Sequence, residues 1–166
     1  MNRIKQLFET KQKDILSIYF TAGFPKIDDT VDVIKELEAN GIDLIEIGIP
    51  FSDPMADGPT IQASGTVALK NGMTLSKLFE QLTDIRKEVS IPLILMGYLN
   101  PMLRYGIENL FRKGMEIGID GMIIPDLPFQ EYLESVKPLC EKYDIPVIML
   151  ITPETSDERI RLIDEY

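Results

Sequence analysis

The sequence predicts an α/β fold built on a parallel sheet. Short apolar runs alternate with helical stretches along the 166 residues, which is typical of repeated βα units. The runs are apolar at almost every position, as expected for strands that are buried on both faces. Similar strand entries recur at Gly41-Ile42-Asp43, Ile91-Pro92, Gly118-Ile119-Asp120 and Ile145-Pro146. This repetition indicates that each strand follows a helix in the same way.

Five strands are predicted at residues 15–21, 43–49, 92–97, 121–125 and 146–151. We expect them to be parallel and adjacent in chain order, with right-handed crossovers. The helices between them are predicted from apolar spacing and end signals. They comprise a helix capped by Asp28 or Asp29 and stopped by Gly41, helices at 60–70 and 74–89, one at 103–117 that tolerates Gly106, one at 129–142 with a kink at Pro138, and one from the N-cap Ser156 to Tyr166.

The overall charge limits the classes of partner. Acidic residues number 27 against 17 basic ones, for a net charge of −10. This balance argues against a nucleic-acid backbone or an anionic membrane surface as the main partner. An anionic substrate would have to be held by backbone N–H groups and helix N-termini.

The residue types present also restrict the chemistry. The sequence has no histidine and a single cysteine, Cys140, which excludes Ser-His-Asp and Cys-His catalysis, His-ligated zinc and an intrachain disulfide. Acid–base chemistry therefore falls to Asp, Glu, Lys, Tyr or Cys. We expect a cytoplasmic protein, because no apolar leader and no run of about 18 apolar residues is present.

Glu46 is the first candidate for a functional side chain. It lies in the apolar run Leu44–Ile49 of the predicted strand, where an ionised carboxylate is costly unless it is paired or exposed at the strand end. A bridge to a neighbouring strand is the ordinary structural explanation. The loop that follows, Pro50–Pro59, adds Asp53 and Asp57 at the carboxyl end of the same strand, where catalytic groups collect in parallel α/β proteins.

Asp57 also has a structural explanation. It precedes Gly58 and Pro59, and a proline suits the first turn of a helix, so Asp57 is a candidate N-cap. Two sheet topologies remain open from the residues alone. Five strands suit an open doubly wound sheet, but Thr21–Pro25 is not a Gly-rich phosphate turn. A barrel of eight units needs about 250 residues, so it would imply that three units are missing.

The segment from Glu46 to Gln62 resembles the signature of the tryptophan synthase alpha chain family. It contains a strand glutamate followed by Gly-x-Pro-Phe-Ser-Asp-Pro-x-Ala-Asp-Gly-Pro-x-Ile-Gln. Further segments similar to the family occur in the family's order: Tyr19–Pro25 before this segment, and Leu95–Pro101 and Gly118–Pro128 after it. The resemblance implies a (β/α)8 (TIM) barrel, with residues 1–166 forming one incomplete barrel domain. It also implies a lyase that cleaves indole-3-glycerol phosphate to indole and glyceraldehyde 3-phosphate in tryptophan biosynthesis.

The resemblance implies roles for individual residues. Glu46 would be the general acid–base that protonates the indole ring carbon from which the glycerol side chain departs. Asp57 would accept a hydrogen bond from the indole N–H and stabilise the positive charge on the ring. Tyr19 and Tyr98 would line the indole pocket.

The resemblance further implies a partner. Pro50, Asp53 and Asn100 lie in loops that contact the beta chain in the family, where an alpha2-beta2 complex is expected. No cofactor is expected on this chain, and pyridoxal phosphate is expected only on the beta chain.

Three interpretations remain, the first of which is a catalytic alpha chain that is present only in part. Family chains continue through three more strand–helix units that hold the substrate phosphate, so we expect the 166 residues alone to be inactive. They could instead form a truncated, non-catalytic partner of the beta chain. A barrel enzyme for another phosphorylated sugar is a third possibility, against which the Glu46–Gln62 segment argues.

Overall fold

The computed structural model describes residues 2–166, which alternate between strands and helices. The strands are β1 (Ser17–Thr21), β2 (Leu44–Gly48), β3 (Leu93–Met96) and β4 (Gly121–Ile123). The α-helices are α1 (Arg3–Thr10), α2 (Asp29–Ala39), α3 (Pro59–Lys70), α4 (Leu75–Leu82), α5 (Leu99–Tyr105), α6 (Ile107–Ile117), α7 (Phe129–Glu131), α8 (Lys137–Tyr143) and α9 (Asp157–Glu165). Within residues 2–166, no helix is long and apolar enough to cross a membrane.

The four strands form one parallel sheet in the order β1-β2-β3-β4. The predicted parallel pairing of sequential strands is therefore confirmed for these four. Tyr19 pairs with Glu46, and Glu46 pairs in turn with Ile94. Residues paired in this way lie on the same face of the sheet, so the register decides which side chains meet.

The two faces of the sheet have different surroundings. Ile45, Ile47 and Leu95 belong to the main core, together with buried residues of the helices that cover this outer face. Leu44 and Ile94 belong instead to a small second cluster on the opposite, inner face. The alternation of side chains along each strand thus separates a helix-covered face from an inner face.

Helix α1 covers the amino end of the inner face. Its Ile4 and Leu7 pack against the inner-face cluster that contains Leu44, Ile94 and Ile123. An added Cβ at Gly121 would approach the Ile4 side chain to 2.9 Å, so a glycine in β4 makes room for the helix. The amino end of the sheet is therefore closed by apolar packing.

Three aspartates tie successive units together through backbone N–H groups. Asp43 accepts a hydrogen bond from the Leu16 N–H at 2.8 Å, and Asp120 accepts one from the Leu93 N–H at 3.0 Å. Asp126 accepts one from the Leu99 N–H at 2.8 Å. Each bond joins a residue of one strand–helix unit to the unit before it. The recurring acids near strand ends thus fix the spacing of neighbouring strands.

Asp120 has the densest set of partners. Its carboxylate, only 3% exposed, forms salt bridges with Arg3 at 3.0 Å and with Arg86. Arg86 in turn donates to the carbonyl oxygens of Gly118 and Ile91. One buried carboxylate thereby connects α1, the segment after α4, β3 and β4.

The strand expected at residues 146–151 is the main correction to the predicted sheet. This segment contributes a single parallel bridge between Val147 and Met122, and its remaining residues are unpaired. The cause lies in β4, which ends at Ile123. In this register the next group to pair with the segment is Ile124, but its oxygen accepts a hydrogen bond from the Leu127 N–H in a turn that leads the chain away.

Two predicted helices are broken, and a third is continuous but irregular near its predicted kink. The helix expected over 103–117 ends at Tyr105 and restarts at Ile107, because Gly106 has φ +94° and cannot continue an α-helix. The helix expected over 74–89 stops at Leu82, and a 3-10 turn follows at Ile85–Lys87. The helix expected over 129–142 contains a π-helical stretch at Tyr132–Val136, just before Pro138.

Helices α2 and α9 both have a predicted residue at the N-cap position, but only one of the two is capped by its side chain. Ser156 caps α9 by accepting a hydrogen bond from the Arg159 N–H. Asp28 precedes α2 but makes no side-chain capping bond, and Asp29 accepts instead from the Lys26 N–H. The half-buried Cys140 packs against the main core, as expected for a small apolar side chain.

We predict that Asp120→Ala lowers the free energy of unfolding by about 3 kcal/mol, because it leaves the half-buried Arg86 guanidinium without its charge partner and the Leu93 N–H without its acceptor. Urea denaturation followed by circular dichroism measures the change. Asp84→Ala is the control, since Asp84 pairs with Lys87 at the surface, where both side chains are more than 70% exposed. Its effect should stay below about 1 kcal/mol. Equal effects of the two substitutions would contradict the role given to Asp120.

Candidate active site

Glu46 lies on the inner face of the sheet. It alternates with Ile45 and Ile47, which face the helices, and it shares the face of Leu44. Within residues 2–166, no Lys or Arg lies within salt-bridge distance of its carboxylate. An ion pair of Glu46 with a basic group is therefore absent from the described part of the chain, whereas the expected bridge to a neighbouring strand is present as a hydrogen bond.

The partner that Glu46 does have is Ser17. The Ser17 hydroxyl donates to the Glu46 Oε1 at 2.6 Å across the β1–β2 pair. The sequence analysis missed this residue. The available signal was that Ser17 lies two positions before Tyr19, on the same face of a predicted strand.

Tyr19 occupies the neighbouring part of the inner face. It is paired with Glu46, and its ring extends along the sheet over Gly48. An added Cβ at Gly48 would lie 2.1 Å from the Tyr19 hydroxyl oxygen, so any side chain there would displace the ring. Gly48 therefore creates the space that Tyr19 fills, at the carboxyl end of β2.

Asp57 lies in the loop between β2 and α3. The N-cap of α3 is Gly58, and Pro59 takes the first helical position. The hypothesis that Asp57 is the N-cap is therefore wrong, because the helix begins one residue later than this hypothesis requires. Within residues 2–166 its carboxylate accepts no hydrogen bond, and only its backbone oxygen is used, by the Gln62 side chain at 2.8 Å.

Tyr98 holds this loop in place. The side chain is 7% exposed, and its hydroxyl oxygen accepts a hydrogen bond from the Ala56 N–H at 2.9 Å. Its ring packs against Phe51, with 5.4 Å between the ring centroids. The residue before Asp57 is thereby fixed to the start of α5. Tyr98 was predicted as a pocket residue, and its observed contacts are with the loop that carries Asp57.

Electrostatics connect these groups. Burial raises the pKa of Tyr19 above its ordinary value, a hydrogen bond with Thr21 opposes the rise, and the charges of Asp57 and Glu46 add to it. Both carboxylates therefore act on the same phenol. The structure brings Glu46, Asp57 and Tyr19 into one neighbourhood on the inner face and its carboxyl rim.

The three residues predicted to contact a partner lie in the loop that carries Asp57 and in α5, so the expectation that Asn100 is in a loop is wrong. Pro50 is half-buried at the start of the loop, and Asp53 and Asn100 are exposed. A cavity of about 400 Å³ opens beside Pro50, with Phe51, Pro101 and Tyr105 among its lining residues. Within residues 2–166, no group of three or more potential metal-ligating side chains is found.

A parallel sheet covered by helices on its outer face, with acidic groups on its inner face and in the loop after the same strand, is typical of (β/α)-barrel enzymes. Residues 5–166 match the family model for the tryptophan synthase alpha chain, and the chain belongs to that family. It is 67% identical over 166 residues to the tryptophan synthase alpha chain of Phocaeicola vulgatus and 62% identical over 164 residues to that of Flavobacterium johnsoniae. The first match covers 100% of this chain and the second covers 99%. Each match covers 64% of the length of the relative.

Solved structures agree with this assignment. The alpha subunit from Legionella pneumophila superposes with a TM-score of 0.91 at 39% identity, covering 98% of this chain and 63% of that one. The tryptophan synthase complex from Pyrococcus furiosus gives a TM-score of 0.85 at 38% identity, covering 92% and 62%. The described sheet is thus part of a TIM barrel, and the chain spans less than two thirds of the length of these relatives.

We predict that Asp57→Asn lowers the pKa of Tyr19, because removal of a nearby negative charge makes the phenolate less unfavourable. An absorbance titration between pH 8 and pH 12 measures the change, and the signal is assigned by comparison with Tyr19→Phe. Asp53→Asn is the matched control, since it removes an exposed acid of the same loop that does not act on Tyr19. The same shift in both variants would contradict the proximity of Asp57 to Tyr19.

Proposed function

We propose that this chain, as part of a tryptophan synthase alpha chain, cleaves indole-3-glycerol phosphate to indole and D-glyceraldehyde 3-phosphate. The observation that carries the proposal is the position of Glu46. It is a carboxylate on the inner face of the sheet, without a basic partner among residues 2–166 and next to an aromatic side chain. Family membership supplies the reaction for which such a carboxylate is suited.

The proposed reaction is a retro-aldol cleavage with Glu46 as acid and then base. Glu46 transfers a proton to the ring carbon that carries the glycerol side chain, which leaves the ring cationic. The side-chain hydroxyl next to the ring then loses its proton and becomes the aldehyde C=O. The carbon–carbon bond breaks, and its electron pair returns to the ring carbon. The carboxylate formed in the first transfer is the base that recovers the proton.

Asp57 stabilises the cationic ring in this proposal. Protonation of the ring carbon places positive charge on the indole nitrogen, whose N–H then becomes a stronger hydrogen-bond donor. The Asp57 carboxylate receives no hydrogen bond from the described residues, and Tyr98 holds its loop in place. It can therefore accept the bond from the indole N–H without breaking another. The stabilisation acts where charge develops, which is where it lowers the barrier. Tyr19 lines the same region and supplies an aromatic wall for the indole ring.

The proposed partner is a tryptophan synthase beta chain. Pro50 and Asp53 lie in the first part of the loop that carries Asp57, Asn100 lies in the first turn of α5, and the cavity beside Pro50 adds apolar surface there. A similar structure is that of a tryptophan synthase complex. We infer an alpha2-beta2 assembly in the cytoplasm in which indole passes to the beta chain. This chain needs no cofactor of its own, and pyridoxal phosphate belongs to the beta chain.

A second candidate function follows from the length of the match. The chain spans 64% of its Phocaeicola vulgatus relative, so the 166 residues can act as a non-catalytic partner of the beta chain. By themselves they are proposed to be inactive, because four strands leave the inner face open and the family's phosphate-binding units lie outside them. Indole release by the 166-residue chain alone would contradict this.

We predict that Glu46→Gln lowers the turnover of indole-3-glycerol phosphate by about 10²–10⁴-fold, because glutamine keeps the shape of glutamate but cannot transfer a proton. The assay measures indole release by this chain extended with the remaining C-terminal part of the Phocaeicola vulgatus relative, in the presence of a beta chain. Asp84→Asn removes an exposed acid that pairs with Lys87 at the surface, away from the site and the proposed interface, and should retain most of the turnover. Comparable turnover in Glu46→Gln and the parent would contradict the proposed role of Glu46.

A further inference from the structure

The hydrogen bond between Ser17 and Glu46 shows which way the Glu46 side chain points along the sheet. Glu46 is paired with Tyr19, and Ser17 lies two residues nearer the amino end of β1, a distance of about 6–7 Å. The Ser17 hydroxyl nevertheless reaches the Glu46 Oε1 at 2.6 Å. A serine side chain is short, so the glutamate must cover most of this distance. The Glu46 side chain is therefore turned toward the amino ends of the strands.

Tyr19 extends the opposite way from the same position. Its hydroxyl lies against Gly48, which is paired with Thr21, two residues nearer the carboxyl end. Asp57 lies beyond that end, in the loop after β2. A ring bound between Tyr19 and Asp57 is thus on one side of the Glu46 backbone position, and the Glu46 carboxylate is on the other.

We propose that Ser17 is a positioning residue that holds the Glu46 carboxylate in a withdrawn orientation, from which the side chain must turn toward the carboxyl end to reach the ring carbon. This proposal rests on the proposed function of Glu46. The hydrogen bond must break before proton transfer, because an oxygen bound to Ser17 faces away from Asp57 and Tyr19. Ser17 thereby stabilises the resting state and slows the chemical step.

The energetic argument depends on the charge of the acceptor. A hydrogen bond to a carboxylate is stronger than one between neutral groups, so it favours the withdrawn orientation of the ionised side chain. To act as the acid of the proposed reaction, Glu46 must take up a proton as well as turn, and the neutral acid loses this charge-assisted bond. Ser17 and Glu46 are both half-buried, which weakens the bond relative to a fully enclosed one. We expect its removal to raise the population of the turned-out orientation by about threefold to tenfold.

The test compares Ser17→Val with Ser17→Thr in the extended chain bound to a beta chain. Valine and threonine have almost the same shape and both suit a strand, but only threonine keeps the hydroxyl. We expect Ser17→Val to raise kcat for indole release by about threefold to tenfold with little change in KM, whereas Ser17→Thr matches the parent. A crystal structure of each variant should show Glu46 turned toward Tyr19 in Ser17→Val and bound to the hydroxyl in Ser17→Thr.

The outcomes separate the two proposals. If Glu46 keeps the same orientation in both variants, or if Ser17→Val turns over no faster than Ser17→Thr, the role of Ser17 is wrong. If the orientations differ as expected but neither the parent nor any variant releases indole, the proposed reaction is wrong and the contact itself stands. A purely structural role of Ser17 would change the melting temperature of Ser17→Val without a rise in kcat, and that result also overturns the inference.

Discussion

Parallel pairing of β1 to β4 is the constraint on which the rest of the structure depends. Because the strands run the same way and pair in sequence, every second side chain of each strand faces away from the helices. The outer face is filled by Ile, Leu and helix residues, so a polar side chain is tolerated only on the inner face. Glu46 lies there, and the same register places Ser17 and Tyr19 beside it. The chemistry proposed for the chain thus follows from the register of one strand pair.

The two ends of the sheet have different roles. At the amino end, Asp120 joins Arg3, Arg86 and the Leu93 N–H in a buried network, and α1 closes the inner face. At the carboxyl end, single contacts such as the bond from Ala56 to Tyr98 hold the loop that carries Asp57. This division is common in parallel α/β proteins, where one end gives stability and the other function. It allows the loop to vary without loss of the sheet.

Much of the fold could be predicted because its signals are local. Apolar runs and their recurring entries located the four strands, and the segment after Glu46 identified the candidate site. The limits come from pairing and side-chain geometry. Residues 146–151 have the apolar composition of a strand, but pairing depends on β4, which a turn at Ile124 ends early. Gly106 breaks a helix that apolar spacing alone would continue. Ser17 was overlooked because its role depends on the pairing of β1 with β2, whereas its position two residues before Tyr19 indicates only the face on which it lies.

The most direct test of the account is a crystal structure of the extended chain carrying Glu46→Gln, with indole-3-glycerol phosphate bound. This variant should bind the substrate without cleaving it, so the ground-state geometry can be observed. The account predicts that the substituted ring carbon faces the side chain at position 46 and that the indole N–H donates to the Asp57 carboxylate. An indole ring bound away from the inner face, or with its N–H directed to a group other than Asp57, would contradict it.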